Sequence, residues 1–334
     1  MADSLEDQNL DSQQIELETP ADGVFQPPSI NAQKLLRGIS YSHFSPLPQV
    51  VQLDTQTECV LGVDEAGRGP VLGPMVYGVF YLPKTIETSL LADTHHFDDS
   101  KVLTPQTRSN LMETLCTADT DLFTQCGWAT CALSAQSISA GMMQPAGSYN
   151  LNAQAMDATI ELVRGVLDRG VNVTEMYVDT IGRPEVYQRK LQHVFPNLKI
   201  TVAKKADSLY PCVSAASVCA KVTRDAALET CAEAIAKAGV DEVAWGSGYP
   251  SDARCVTWLK ANMDPVFGWG PECRFSWGTS KELLEGKKNP LKVDWPVEED
   301  ENGMKMTSFF VGKGEEIDDE LADWYGKRVG AEVF

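Results

Sequence analysis

Two apolar runs lie close together near the start of the chain's body, and they limit what it can fold into. Cys59-Val60-Leu61-Gly62-Val63 and Met75-Val76-Tyr77-Gly78-Val79-Phe80-Tyr81-Leu82 carry no charged residue, and only residues 64–74, with Gly67, Gly69 and Gly73 among them, separate the two. Runs of this length with β-branched and aromatic content read as buried strands, here joined by a glycine-rich turn. Downstream, Thr104-Pro105 is a helix-start signal with Leu111, Met112 and Leu115 on one face. A strand is expected within Leu122 to Leu133. Leu151, Ala155, Ala158, Leu162 and Val166 mark a helix that Gly170 would close. Glu175-Met176-Tyr177-Val178-Asp179 and Leu198 to Ala203 read as strands, and a long helix runs from about Pro211 to Lys237. Two initial strands followed by strands alternating with helices predict an α/β fold, a mixed sheet flanked by helices.

The flanks differ from this body. Residues 1–57 form an acidic extension, expected to be largely disordered to about residue 28 and a loose lead-in over 29–57. The body spans 58–238. Residues 239–297 are loop and helix, rich in Trp, Gly and Pro, and 298–334 form an acidic tail. The net charge of -19 is concentrated outside the body: 1–28 holds seven acids and no Lys or Arg, and 298–334 holds eleven acids against four bases. Each tail carries -7, which leaves -5 for everything between them, so the charge neither suggests nor excludes a polyanionic partner. No apolar stretch approaches the ~20 residues needed to span a bilayer, and Met1 to Pro20 lacks the pattern of a signal peptide. Nine cysteines without a Cys-x-x-Cys pair read as buried thiols, and the chain is expected to be intracellular.

Three features could carry chemistry. Asp64 and Glu65 close the first strand, Asp179 closes a later one, and Asp207 precedes the long helix. Carboxylates at strand ends of an α/β sheet can converge on one rim. Such hard oxygen donors suit Mg²⁺ or Mn²⁺, and two ions can bracket a phosphodiester. Taken singly, each acid reads equally as a solvated strand end. The second feature, Gly67-Arg68-Gly69-Pro70, allows close backbone approach of a ligand, though a plain tight turn fits the same residues. Its spacing misses the dinucleotide fingerprint, and no Gly-Lys-Ser/Thr ending makes it a phosphate loop. The third is a set of polar and basic residues able to neutralise phosphate: Lys101, Asn150, Lys204, Lys205, Lys221 and Arg224. No His/Cys spacing supports zinc, and no Gly-x-Ser-x-Gly elbow is present.

Taken together, these segments resemble a known family. Gly62-Val63-Asp64-Glu65-Ala66-Gly67-Arg68-Gly69-Pro70-Val71-Leu72-Gly73-Pro74 is similar to the signature of type 2 ribonucleases H. The likeness continues, in order, through Asp99-Ser100-Lys101, Tyr149 to Asn152, Val178 to Gly182, Lys205 to Pro211, Val213 to Ser217, Gly246 to Asp252 and Pro265 to Trp277. The form it most resembles is the catalytic chain of the eukaryotic enzyme. The resemblance implies a ribonuclease H-like mixed sheet over 58–238 with a C-terminal helical extension. It implies cleavage of RNA paired to DNA, and incision 5′ of single ribonucleotides embedded in duplex DNA. By the same resemblance, Asp64, Glu65, Asp179 and Asp207 are the catalytic, metal-binding carboxylates. Gly67, Arg68 and Gly69 with Tyr249 would sense the 2′-hydroxyl, the group that separates RNA from DNA. Lys101 and Asn150, and less directly Lys221 and Arg224, would contact phosphates.

Outside the likeness, Met306-Thr307-Ser308-Phe309-Phe310 resembles a sliding-clamp-binding peptide with Met306, Phe309 and Phe310 as anchors, although Gly303 stands where that pattern has Gln. Two non-catalytic subunits of a heterotrimer are further partners implied by resemblance, and a nuclear location goes with them. A non-catalytic nucleic-acid-binding or scaffolding subunit of the same fold is the competing expectation. The presence of all four carboxylates disfavours it.

Overall fold

The computed structural model describes residues 25–97, 103–144, 149–180, 182–237 and 244–286, all within one unit, Met1–Pro290. The elements in chain order are α1 (Ala32–Leu36), β1 (Tyr41–Phe44), α2 (Gln49–Leu53), β2 (Cys59–Ala66) and β3 (Met75–Pro83). A π-helical segment (Glu87–Thr94) precedes α3 (Pro105–Cys116), α4 (Asp121–Gln125), β4 (Gly127–Leu133), α5 (Ala135–Met142) and α6 (Leu151–Leu167). Then come β5 (Val173–Asp179), α7 (Pro184–Val194), β6 (Lys199–Ala203), a 3-10 turn (Ala206–Ser208), α8 (Pro211–Lys237), α9 (Ala253–Ala261) and α10 (Gly278–Glu285).

The strands form one mixed sheet in the order β1-β4-β3-β2-β5-β6. β1 through β2 pair antiparallel, while β2–β5 and β5–β6 are parallel. The expected α/β mixed sheet is therefore present. Asp64 stands opposite Gly78 and Glu65 opposite Tyr77, so both acids lie where β2 leaves the sheet. β5 and β6 run parallel to β2, and they bring Asp179, paired with Ala203, to the same rim.

Side chains alternate across β2. Leu61 and Val63 pack on one face with α6 and α7, and Val60 packs on the other with α8. The α8 face is unusual because the helix lies almost in van der Waals contact with the strands. A Cβ on Gly62 would sit 2.3 Å from the Cys212 carbonyl, and one on Gly78 would sit 2.6 Å from the Ala216 carbonyl. Only glycine tolerates that approach. The helix answers with small buried residues, Ala215, Ala216 and Ala220 among them. It is apolar nearly all round from Cys212 to Leu228, as expected for a helix enclosed by protein.

One expectation is corrected. Residues 29–57, read as a loose lead-in, contribute α1, the edge strand β1 and α2, with Leu35, Tyr41 and Val51 buried. β1 is short, and its stability comes from β4, which offers an open edge along Tyr41 to Phe44. Ser29 Oγ and Thr223 Oγ1, 2.9 Å apart, tie this segment to α8. The strand expected in Leu122–Leu133 is half helix: Thr120 caps α4, and β4 begins only at Gly127. All nine cysteines are free thiols, eight of them buried. Among the described residues no helix is long and apolar enough to cross a membrane.

Candidate active site

Asp64 and Glu65 are consecutive on a strand, so they point to opposite faces of the sheet. Asp64 shares the α8 face with Gly62 and is buried, 6% exposed. Its Oδ1 accepts a hydrogen bond from the Glu65 N–H at 2.7 Å. Glu65 lies on the α6 face, across from the buried Tyr77. Beyond β6 the chain turns sharply through Lys205, in the left-handed region at φ 57, and the 3-10 turn carries Asp207 back over the end of β5. The turn is pinned to Asp179 twice. Ala206 N–H donates to Asp179 Oδ1 at 2.8 Å, and Thr180 N–H donates to the Ala203 carbonyl at 3.2 Å. Four carboxylates from three chain segments thus meet on one rim.

Their electrostatics show the cost of this gathering. Burial, and then the neighbouring charges of Glu65, Asp179 and Asp207, push the Asp64 carboxyl well above the usual range. Burial pushes Glu65 up to about 7, with Asp179 and Asp207 adding to the rise and the Arg68 guanidinium opposing it. Burial, with Glu65 next, raises the Tyr77 phenol. Like charges held together out of water favour the protonated form, and a cation relieves that repulsion. The donor set is all carboxylate oxygen, which fits a hard divalent ion. Among the described residues no three such side chains close into a ready cage. That also fits an ion held by one or two carboxylates and completed by water and substrate phosphate.

Beside the acids, Gly67 adopts φ +79, and a Cβ there would lie 2.7 Å from Arg224 Cδ and Nε. The turn Gly67-Arg68-Gly69 is held from a distant part of the chain. Buried Arg274 donates from Nη2 to the Gly67 carbonyl (2.6 Å), from Nη1 to the Arg68 carbonyl (2.9 Å) and from Nε to the Gly73 carbonyl (3.1 Å). Trp277 Nε1 donates to the Gly69 carbonyl at 2.9 Å, and its ring lies 4.7 Å from the Arg274 guanidinium. Burial, and then the nearby Arg224, lower the Arg274 pKa to about 9.

The loop bearing Tyr249 is fastened to the same turn. Val71 N–H donates to the Gly248 carbonyl (2.9 Å) and Arg224 Nη2 to the Ser247 carbonyl (2.7 Å). Asp252 caps α9 and accepts from Ser247 N–H and Arg254. The Arg224 guanidinium lies 5.5 Å from the Tyr249 ring.

The structure therefore brings Asp64, Glu65, Asp179, Asp207, the Gly-Arg-Gly turn and Tyr249 to one side of the sheet's rim. Of the expected phosphate contacts, Arg224 is 7% exposed and braces the Tyr249 loop. Asn150 caps α6, its Oδ1 accepting from Ala153 N–H, and Asn152 in the next turn receives Arg68 Nη2. Lys221 is half-buried on α8. Lys101, Met306, Phe309 and Phe310 lie outside the described residues. Sequence reading assigned no role to Arg274, Trp277 or Asp252. The available signal was a lone arginine inside the apolar stretch Cys273-Arg274-Phe275-Ser276-Trp277, because a buried guanidinium must find acceptors.

Residues 61–280 match the family model described as Ribonuclease HII. The chain belongs to the ribonuclease HII family. It is similar to the catalytic chain of ribonuclease H2 from Neurospora crassa, 59% identical over 318 residues that cover 93% of this chain and 98% of the relative. The corresponding human ribonuclease H2 chain is 43% identical over 273 residues, covering 81% of this chain and 87% of the relative. Among solved structures, ribonuclease H2 from Pyrococcus horikoshii superposes with a TM-score of 0.55 at 29% identity, over 68% of this chain and 98% of that one. RNase HII in its PCNA complex from Archaeoglobus fulgidus does so at 0.52 and 28%, over 65% and 94%. The ribonuclease HII membership makes this chain a ribonuclease H hydrolase acting on RNA/DNA, and its sheet is the ribonuclease H-like one that the resemblance implied.

Proposed function

We propose that this chain is the catalytic subunit of an endoribonuclease that cleaves the RNA strand of RNA/DNA hybrids and incises 5′ of single ribonucleotides within duplex DNA. One juxtaposition carries the reading. Four rim carboxylates that repel one another stand directly beside a glycine turn whose backbone and neighbouring Tyr249 are rigidly placed. The first element suits phosphodiester hydrolysis, and the second suits inspection of a ribose.

Asp64, Glu65, Asp179 and Asp207 would hold Mg²⁺ or Mn²⁺, in the two-ion arrangement that phosphodiester hydrolysis favours. When bound, the ions supply positive charge against the phosphoryl oxygens and acidify the attacking water. Water oxygen bonds to phosphorus, the bond to the 3′-oxygen breaks, and the products are a 3′-hydroxyl and a 5′-phosphate. Arg274 and Trp277 hold the Gly67, Arg68 and Gly69 peptide planes, and Arg224 and Asp252 hold the Tyr249 loop. A 2′-hydroxyl, both donor and acceptor, would meet groups already in place, which lowers the ordering cost of recognition.

The relatives are each named as one lettered subunit of ribonuclease H2, which supports assembly with non-catalytic subunits, two by the resemblance. The PCNA-bound structural neighbour supports a clamp contact through Met306, Phe309 and Phe310. A nuclear location follows from the same role. The test is incubation of the full chain, alone and co-expressed with its partners, with a duplex carrying one ribonucleotide, in Mg²⁺, Mn²⁺ or EDTA. Incision 5′ of the ribonucleotide that EDTA and Asp64→Asn both abolish supports the proposal. Failure to incise in every metal and assembly overturns it.

A further inference from the structure

Residues 182–205 contain six bases, Arg183, Arg189, Lys190, Lys199, Lys204 and Lys205, against one acid, Glu185, in a chain whose net charge is -19. Most exposed bases elsewhere on the described surface are neutralised locally. Lys84 and Lys199 pair with Glu175, Lys237 with Glu233, Lys281 with Glu285 and Arg254 with Asp252. Arg183, Arg189, Lys190, Lys204 and Lys205 are all exposed, and among the described residues none of them makes an ion pair. Five unpaired cations in one segment of an acidic protein leave a local positive field, which an anionic partner would neutralise.

Their positions give this field a direction. Lys204 and Lys205 sit between Ala203, which pairs with Asp179, and Asp207. Arg183 is the N-cap of α7, four residues after Asp179. From there α7 runs away from the rim. Leu191 is buried, Tyr187 and Val194 pack on the core, and Arg189 and Lys190 are left on the exposed side. At about 1.5 Å per residue, α7 extends about 16 Å, roughly five nucleotide steps of about 3.4 Å along one strand.

We infer that Lys204, Lys205, Arg183, Lys190 and Arg189 form a ridge that carries the sugar-phosphate backbone of the duplex outward from the carboxylates, beyond the phosphates at the cleaved bond. The inference rests on the proposed nuclease reading. It adds that affinity depends on duplex length through contacts that read no sequence and touch no reacting atom. The occupant is nucleic acid because the ridge is continuous with the carboxylate rim at both Lys204-Lys205 and Arg183.

The experiment measures binding of the full chain carrying Asp64→Asn, with and without Arg189→Gln/Lys190→Gln, to hybrids of about 8 and about 24 base pairs from 50 to 200 mM KCl. Each lost phosphate contact should reduce the log-log salt slope by about 0.9. The double variant is expected to lose about 1.8 from its slope and about tenfold in affinity on the long hybrid, with little change on the short one. Lys204→Gln/Lys205→Gln should weaken both, since those residues adjoin the acids. An unchanged slope and affinity on the long hybrid would overturn the ridge. So would tighter binding by the variants, which would place the chain's own acidic tails there instead. Cleavage by protein with native Asp64, measured in parallel, keeps the two readings apart. Active Arg189→Gln/Lys190→Gln enzyme with an unchanged slope removes the ridge alone, and an inactive parent removes the nuclease proposal.

Discussion

The carboxylate rim and the glycine turn adjoin each other, yet they are held by opposite kinds of force. The rim is gathered by the sheet against its own electrostatics, with Asp64 and Glu65 pushed toward protonation by burial and by their neighbours. The turn is gathered by satisfied hydrogen bonds, four carbonyls meeting Arg274 and Trp277. A site assembled from repulsion gains stability when a charge is removed and loses chemistry. A site assembled from hydrogen bonds loses stability when a donor is removed and changes its selectivity. Substitutions in the two regions should therefore have separable consequences.

Asp64→Asn gives the largest effect expected: cleavage falls by about a thousandfold or more, since an ion ligand is lost. Melting of the metal-free protein should stay level or rise, because one repelling charge is gone. A clear fall in Tm would break the contrast. Arg274→Met should do the reverse. It leaves the Gly67, Arg68 and Gly73 carbonyls without their donor, at about 1–3 kcal/mol each, and a lower denaturation midpoint is the readout. Residual cleavage should discriminate less between a hybrid and an embedded ribonucleotide. Trp277→Phe, which removes one donor, is expected to cost about 1 kcal/mol.

Gly67→Ala combines a left-handed φ of +79 with contacts of 2.7 Å to Arg224 and 2.8 Å to the Pro74 carbonyl. A loss of about 1–3 kcal/mol is expected, together with a displaced Tyr249 loop. Tyr249→Ala should lower embedded-ribonucleotide incision by about 10–100-fold, the worth of a hydrogen bond lost to a specific substrate group. Hybrid cleavage should fall less, and an equal fall in both activities would remove the junction-sensing role.

The smallest effect is on pH dependence. Glu65 is raised in the folded protein to about 7, so its protonated form favours folding. That stabilisation is complete below the ordinary glutamate pKa and is lost as pH rises through about 7. Glu175 behaves oppositely, because Lys84 and the Tyr177 hydroxyl hold its carboxyl down at about 2. Its contribution is present above the ordinary glutamate pKa and is lost as pH falls toward about 2. In EDTA, unfolding midpoints should fall between about pH 5 and about pH 7.5, and Glu65→Gln should flatten that slope. Glu175→Gln should leave it intact and alter only the acid limb.

Much of this was legible in the residues. The apolar runs ending at Asp64 and Asp179 are strands, and the long helix occupies Pro211–Lys237 as read, because a long period-marked segment is locally specified. The edge strand β1 was not legible: Tyr41-Ser42-His43-Phe44 becomes a strand only because β4 leaves an edge to pair with. The same limit applies to α7, where one buried leucine and two half-buried neighbours leave a weak apolar stripe.

By itself the sequence determined which donors the site could contain, and that they would be hard oxygen ligands ending strands, since residue type and strand-end position are local properties. Tertiary structure alone decided what holds them. It set Asp64 and Glu65 on opposite faces of the rim, and Asp207 over Asp179. It also brought Arg274 onto carbonyls some 200 residues earlier in the chain. The physical reason is that a backbone carbonyl carries no residue identity, so the arginine that satisfies it cannot be paired with it until the chain has folded.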